Sequence, residues 1–115
     1  MKNPHGVWLR SMAALILAAM TAVSARAQQP PNPPGLFAKQ CAVCHGPQGK
    51  PNEAFAKKKV RDLQEPAWQD GITDKKIAEI IRDGVPNTMM AGHKDKLTPV
   101  EIDALVKFIR GLRRK

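Results

Sequence analysis

The sequence predicts a small all-α domain, and three observations predict it. Two stretches carry apolar residues at helical spacing behind clear N-caps: Thr73 precedes Ile77, Ile80 and Ile81, and Thr98 precedes Ile102, Leu105, Val106 and Ile109. No stretch alternates apolar and polar residues as a half-buried strand does. Cys41, Cys44 and His45 stand at i, i+3 and i+4, a spacing that places all three on one face of a helical turn.

The elements follow in chain order. Lys2 and Arg10 give a positive start, Met12 to Val23 is a run of twelve apolar and small residues, and Ala25-Arg26-Ala27 fits a small-x-small cleavage signal. Residues 1–27 therefore read as a secretory signal peptide, too short in its apolar part for a membrane span. Cleavage after Ala27 leaves 88 residues starting at Gln28, and the expected location is the periplasm. Residues 28–34 (Gln-Gln-Pro-Pro-Asn-Pro-Pro) read as an extended Pro-rich arm, and residues 35–115 as the domain.

Pro34 opens a first helix that runs through Leu36, Phe37 and Gln40 into the cysteine motif, and Gly46, Pro47 and Gly49 end it. Residues 50–71 read as loop, with Lys57-Lys58-Lys59 as either a solvated run or a docking patch. Within it, Leu63, Pro66 and Trp68 are expected to face the core or a cofactor. The second helix covers residues 74–83 and stops at Gly84. A loop from Val85 to Lys96 carries Met89, Met90 and His93. The last helix has Thr98 as N-cap, Pro99 at its first position and Glu101 completing a capping box. Its basic end, Arg113-Arg114-Lys115, suits the negative pole of the helix dipole.

The motif Cys41-Ala42-Val43-Cys44-His45 has the C-x-x-C-H form of a c-type haem attachment site. Two thiols on one helical face reach the two vinyl groups of one haem, and the imidazole beside them sits under its iron. The two residues of Cys in the chain are both used by this motif. A thioredoxin-like dithiol would need a strand leading into the motif, and none is seen. A zinc site would need two more ligands, and His93 is the one His beyond the motif once His5 leaves with the signal. An 88-residue domain buries little apolar surface, so a covalently held haem would also supplement its core.

The sixth position of such an iron decides the task. An open position would permit ligand sensing or peroxide chemistry, whereas a Met thioether favours ferrous iron and raises the reduction potential. Met89 and Met90 lie side by side in a polar loop, Met90 standing 45 positions after His45. His93, Lys94 and Lys96 are the other candidates in that loop.

These pieces resemble the small monohaem class I c-type cytochromes. The resemblance rests on Cys41-Ala42-Val43-Cys44-His45-Gly46, on residues 62–69, on residues 81–90 and on residues 97–102, in family order over about residues 35–112. The ligand loop is similar to the family pattern Gly-Val-Pro-x-Thr-x-Met-Pro with a Leu seven positions past the Met, which aligns Met90 with the axial ligand and Leu97 with that Leu. Ala91 departs from the pattern, which has Pro there. The resemblance implies three or more helices around one haem c attached through Cys41 and Cys44, with His45 and Met90 as iron ligands and Trp68 beside the haem. It also implies that the first and last helices cross near Gly35–Phe37 and Leu105–Ile109, with Gly35 permitting close approach. Val43 and Pro47 are expected at the haem edge.

The expected function is one-electron transport rather than catalysis. The chain serves either as a free periplasmic carrier or as the haem subunit of a larger dehydrogenase or oxidase complex; a sensor or peroxidase is the remaining haem-based alternative. The formal net charge is +9 over the whole chain, and 16 basic against 10 acidic residues remain after residue 27. That charge suits an acidic redox partner or a membrane surface. Nucleic acid is not an expected partner, because an exported chain without a nucleic-acid-binding motif gives no site for it.

Overall fold

The computed structural model describes residues 30–115. The signal peptide, its cleavage point and the first two residues of the arm lie outside the described residues. Six helices follow one another: α1 (Pro33–Gln40), α2 (Ala42–His45), α3 (Glu53–Lys57), α4 (Pro66–Gly71), α5 (Asp74–Asp83) and α6 (Pro99–Arg110). Among the described residues the extended pairing is a single bridge between Gly84 and Ala91. No helix among them is long and apolar enough to cross a membrane.

Helix α1 starts inside the stretch expected as an arm. The Asn32 side chain accepts from the Gly35 N–H at 3.2 Å, and Pro33, which has no N–H to satisfy, takes the first turn. The arm's last two prolines are therefore helical. The first helix is also not continuous through the cysteine motif. It yields at Cys41 (φ −118°, ψ −38°), and the single turn of α2 carries Cys44 and His45. Gly46 ends α2 at φ 80°, where a side chain would collide with the Lys50 carbonyl.

The stretch expected as loop holds two short helices. Asn52 caps α3 by accepting from the Phe55 N–H at 3.0 Å. Pro66 stands at the first turn of α4. Helices α5 and α6 begin at Thr73 and Thr98 as their caps dictate, with the Thr98–Glu101 capping box formed in both directions at 2.7 and 3.2 Å.

The core gathers Phe37 from α1, Leu63, Ile77 and Ile81 from α5, Leu97, and Ile102, Leu105, Val106 and Ile109 from α6. Leu105 and Phe37 are the most completely buried, at 0% and 1% exposure. Helix α1 packs on α6 through Phe37 and Phe108, whose ring centroids lie 5.1 Å apart at 48°. Gly35 does not serve that contact. A Cβ there would first meet the side chain of its own cap, Asn32, at 2.9 Å.

A buried polar clamp fixes α4 under α6. Gln69 is 3% exposed, and its Nε2 donates to the carbonyls of Leu63 and Ile109, both at 2.8 Å. Arg110 donates to the Gln69 side-chain oxygen at 3.1 Å, to the Ile72 carbonyl at 2.6 Å and to Asp74 at 2.6 Å. The clamp satisfies carbonyls at the end of α6 and around α4 that burial would otherwise leave unpaired. It also holds Trp68, one residue before Gln69, against the core.

Candidate haem site

The helices enclose a cavity of about 490 Å³, within the range of ordinary cofactor pockets. One wall is the end of α1 and the last two residues of α2, and presents Cys41, Cys44 and His45. The apolar floor comes from Leu63, Trp68, Ile77, Ile80, Ile81 and Ile109. A loop wall carries Lys58, Lys59 and Arg61. The loop after α5 contributes Val85, Met89, Met90 and His93. Cys41, Cys44, His45, Trp68, Met89, Met90 and His93 thus meet in one cavity, whereas Lys94 and Lys96 do not line it. Val43 and Pro47 do not belong to its lining; Val43 is 73% exposed on the outer side of α2.

His45 is oriented from behind. Its Nδ1–H donates to the Arg61 carbonyl at 2.8 Å, because a carbonyl can only accept. That leaves Nε2 with its lone pair free, the arrangement found in metal-ligating histidines. Burial lowers the imidazole pKa, against a smaller opposing effect of the same hydrogen bond, and so favours the neutral, ligating form. Of Arg61 the site uses the carbonyl, while the guanidinium lies 3.5 Å from Glu65. Burial pushes the Cys41 thiol up to about 11. Redox-active dithiols work through a depressed thiol pKa, so this environment speaks against a thioredoxin-like role.

The loop after α5 is held by a small set of hydrogen bonds. Val85, Pro86, Asn87 and Thr88 form a turn closed by Thr88 N–H to the Val85 carbonyl at 3.3 Å, with Pro at its second position and Asn87 at φ 60° in its third. The Thr88 hydroxyl donates to the Val85 carbonyl at 2.8 Å and accepts from the Met90 N–H at 3.2 Å. Val85 N–H donates to the Met90 carbonyl at 2.9 Å. Gly84, at φ 74°, lets the returning strand pass: a Cβ there would sit 2.6 Å from the Met90 carbonyl oxygen. This geometry turns Met90 inward to a half-buried position and leaves Met89 55% exposed at the rim.

The three-lysine run is divided. Lys57 pairs with Glu53 at 2.9 Å on the surface, whereas Lys58 and Lys59 line the cavity. Lys58 lies over the Phe55 ring at 5.7 Å. Lys59 adopts φ 61° just past the end of α3, a position that glycine usually takes. Among the described residues neither makes an ion pair. No Asp or Glu lines the cavity, and its cations all fall within residues 58–61.

This cavity fits a haem. Two thiols, an imidazole with a free Nε2, a thioether, an apolar floor and a cationic stretch suited to carboxylates line one volume. The roles of Lys58, Lys59 and the Arg61 carbonyl were not readable from sequence. Backbone atoms carry no residue identity, and the run of lysines gave no hint of where it divides.

The sequence matches the family described as cytochrome c oxidase, cbb3-type, subunit III, over residues 28–109. Among solved structures, the KustC0563 c-type cytochrome is similar at 35% identity and a TM-score of 0.66, covering 72% of this chain and 99% of its own. A point mutant of that protein is similar at 37% identity and a TM-score of 0.63, covering 70% of this chain and 98% of its own. No curated protein matches the sequence. The matched range takes in every wall of the cavity, and the chain belongs to the cbb3-type subunit III cytochrome c family: it is a small all-α c-type cytochrome whose haem c serves electron transfer rather than catalysis.

Proposed function

We propose that the chain is an exported carrier of single electrons. It holds one haem c covalently through Cys41 and Cys44, with His45 and Met90 as the iron ligands. The observation that carries this reading is the meeting of the Cys41–Cys44–His45 face and the inward-turned Met90 in one cavity. The haem supplies a reversible one-electron couple at its iron. The chain's own residues set the terms of that couple. The Arg61 carbonyl orients the His45 ring, and the Met90 thioether, soft and neutral, favours the ferrous state. The apolar floor excludes water, and Lys58 and Lys59 offer charge to the haem carboxylates.

The rim of the cavity supports docking of an acidic redox partner. Met89 and Val85 are exposed there, at 55% and 37%, and Lys58 and Lys59 line the same cavity. An apolar contact with cations on one wall of the same cavity suits brief, electrostatically steered encounters. The signal-peptide pattern of residues 1–27 supports a periplasmic site of action. A second reading has its own support: the matched family is described as an oxidase subunit, so the same haem would serve as an electron-transfer subunit of a larger complex. Co-purification of a stoichiometric partner from native extract distinguishes the two.

The test is an absorption spectrum, ferric and dithionite-reduced, of protein matured in a periplasm equipped for c-haem assembly. A low-spin c-haem spectrum with the ferric Met–iron charge-transfer band is the expected result. Met90→Ala is expected to remove that band and Met89→Ala to keep it, and the reverse pattern moves the ligand to Met89. Absence of covalent haem overturns the reading altogether.

A further inference from the structure

His93 is the second imidazole of the described chain, and the carrier role leaves it unused. It lies in the wall of the same cavity, three residues past Met90. Its backbone is pinned on both sides. The N–H is shared between the carbonyls of Ile81 at 2.8 Å and Arg82 at 3.1 Å, at the end of α5. The carbonyl accepts from Lys96 and Leu97, both at 2.9 Å. The ring's Nδ1 is sealed from solvent and has no hydrogen-bond partner among the described residues.

We propose that His93 is a reserve sixth ligand, taking the iron through Nε2 whenever thioether ligation is lost. The inference rests on the His/Met reading above. Three observations lead to it. A sealed Nδ1 leaves Nε2 as the ring nitrogen available to a ligand. The imidazole has already left water in part, whereas Lys58 and Lys59, the other nitrogen bases of the lining, carry strongly hydrated ammonium groups. The contrast with His45 explains the rank: a committed ligand has its second nitrogen fixed by a hydrogen bond, as His45 has at Arg61, and His93 lacks one. His93 therefore yields to Met90 in the native state and serves once the sulfur is gone.

Peroxide supplies a natural trigger. It transfers one oxygen atom to a thioether, giving a sulfoxide and water, and Met89 and Met90 are the thioethers of this cavity. His93 Nε2 would then replace the oxidised sulfur as the donor offered to the iron, with no change in electron count. Imidazole ligation favours ferric iron relative to thioether ligation, so the exchange would lower the reduction potential.

The test compares holoproteins in which both thioethers are absent from the start. Met89→Ala/Met90→Ala is expected to lose the ferric Met band yet stay low-spin, with an electron paramagnetic resonance signature of two imidazoles and a lowered midpoint potential. Adding His93→Phe is expected to convert it fully to high-spin and to open the reduced iron to rapid CO binding. A high-spin Met89→Ala/Met90→Ala protein, or a low-spin state that survives His93→Phe, overturns the proposal. Folded wild-type and His93→Phe holoproteins treated with peroxide, until peptide mass spectrometry shows both methionines oxidised, provide the same comparison without cavity-forming substitutions. The same two outcomes decide it. The untreated wild type reports separately on the Met reading. A two-imidazole spectrum lost in His93→Phe would fail Met90 as the native ligand while retaining His93 as a ligand.

Discussion

The cavity has two walls bearing potential iron ligands, and they hold their side chains by different means. Cys41 stands at the end of α1 and Cys44 and His45 on α2, Phe37 of α1 is buried against α6, and His45 is aimed by a backbone carbonyl from a third segment. Met89, Met90 and His93 hang on a loop closed by a few hydrogen bonds around one turn and one bridge. The first wall is fixed by the core. The second is fixed locally, and it presents more than one ligand. The difference teaches where commitment and choice would reside under the proposed haem ligation: attachment and proximal ligation would rest on the core, while the sixth ligand would be set by loop geometry held by a few hydrogen bonds.

The severest way to break the comparison is to strike the first wall. Phe37→Ala is expected to cost about 3–5 kcal/mol, the range for truncating a buried aromatic. Because Phe37 joins α1 to α6, both walls should be lost in one transition. Chemical denaturation followed in parallel by haem absorbance and far-ultraviolet circular dichroism checks this. Two separated transitions would show that the proximal wall is independent of the core.

The next largest effect is expected behind the cavity floor. Gln69→Ala removes the shared donor of the Leu63 and Ile109 carbonyls and a partner of Arg110, leaving buried groups unpaired. The expected loss is about 1–3 kcal/mol. Trp68 fluorescence in the folded state should shift as its helix loosens, while the Met band, governed by the other wall, should remain. Loss of the band at unchanged stability would join the two walls more tightly than the structure does.

How much of this was legible in the sequence follows the same division. Helices α5 and α6 were readable because each has a Thr cap and an apolar stripe long enough to show a helical period. Helices α3 and α4 have five and six residues and too few turns for any period, so Asn52 and Pro66, which do start them, passed as loop residues. Pro34 is legible as a helix start, but Pro33, where α1 begins, reads as arm because proline favours extended chain as readily as a first helical turn. At the site, the chemistry-bearing side chains could be named from the motif and the methionine pair. Their aim could not. The carbonyl that orients His45 belongs to Arg61 by position alone, and the choice between Met89 and Met90 depends on a turn whose Asn87 takes a left-handed conformation that its residue type permits but does not dictate.

Thr88→Val sharpens the comparison from the loop side. It removes the hydroxyl that ties Val85 to Met90 and should cost no more than about 1 kcal/mol of global stability. Its effect on the ferric Met band should be disproportionate, with the band fading on heating well before the protein unfolds. A band that disappears only with unfolding would show the loop to be as firmly built as the helical wall.

The smallest expected effect lies at the C-terminal latch, which ties the chain end to α4 and to the segment around Leu63 behind the floor. Arg113 makes a two-point contact with Asp70 at 2.8 and 3.0 Å, and Arg114 reaches Asp62 at 2.8 Å. The Arg113 guanidinium holds the Asp70 carboxyl below the usual range. At Asp62 burial pushes the pKa up, but the hydrogen bonds from Arg114 and the Gln64 N–H outweigh it and the carboxyl is again lowered. A carboxyl lowered by folding stabilises above its unfolded pKa of about 3.9, and that contribution fades as pH falls through the lower folded value. Both pairs are largely solvent-screened, so the contribution is small. Arg113→Ala/Arg114→Ala should therefore be slightly less stable than wild type near neutral pH, with the difference shrinking as pH falls below about 4. Denaturation midpoints measured across that range give the sign directly. A difference that grows in acid would mean the arginines act by packing on α4 rather than by charge, and the latch would then belong with the core that fixes the first wall.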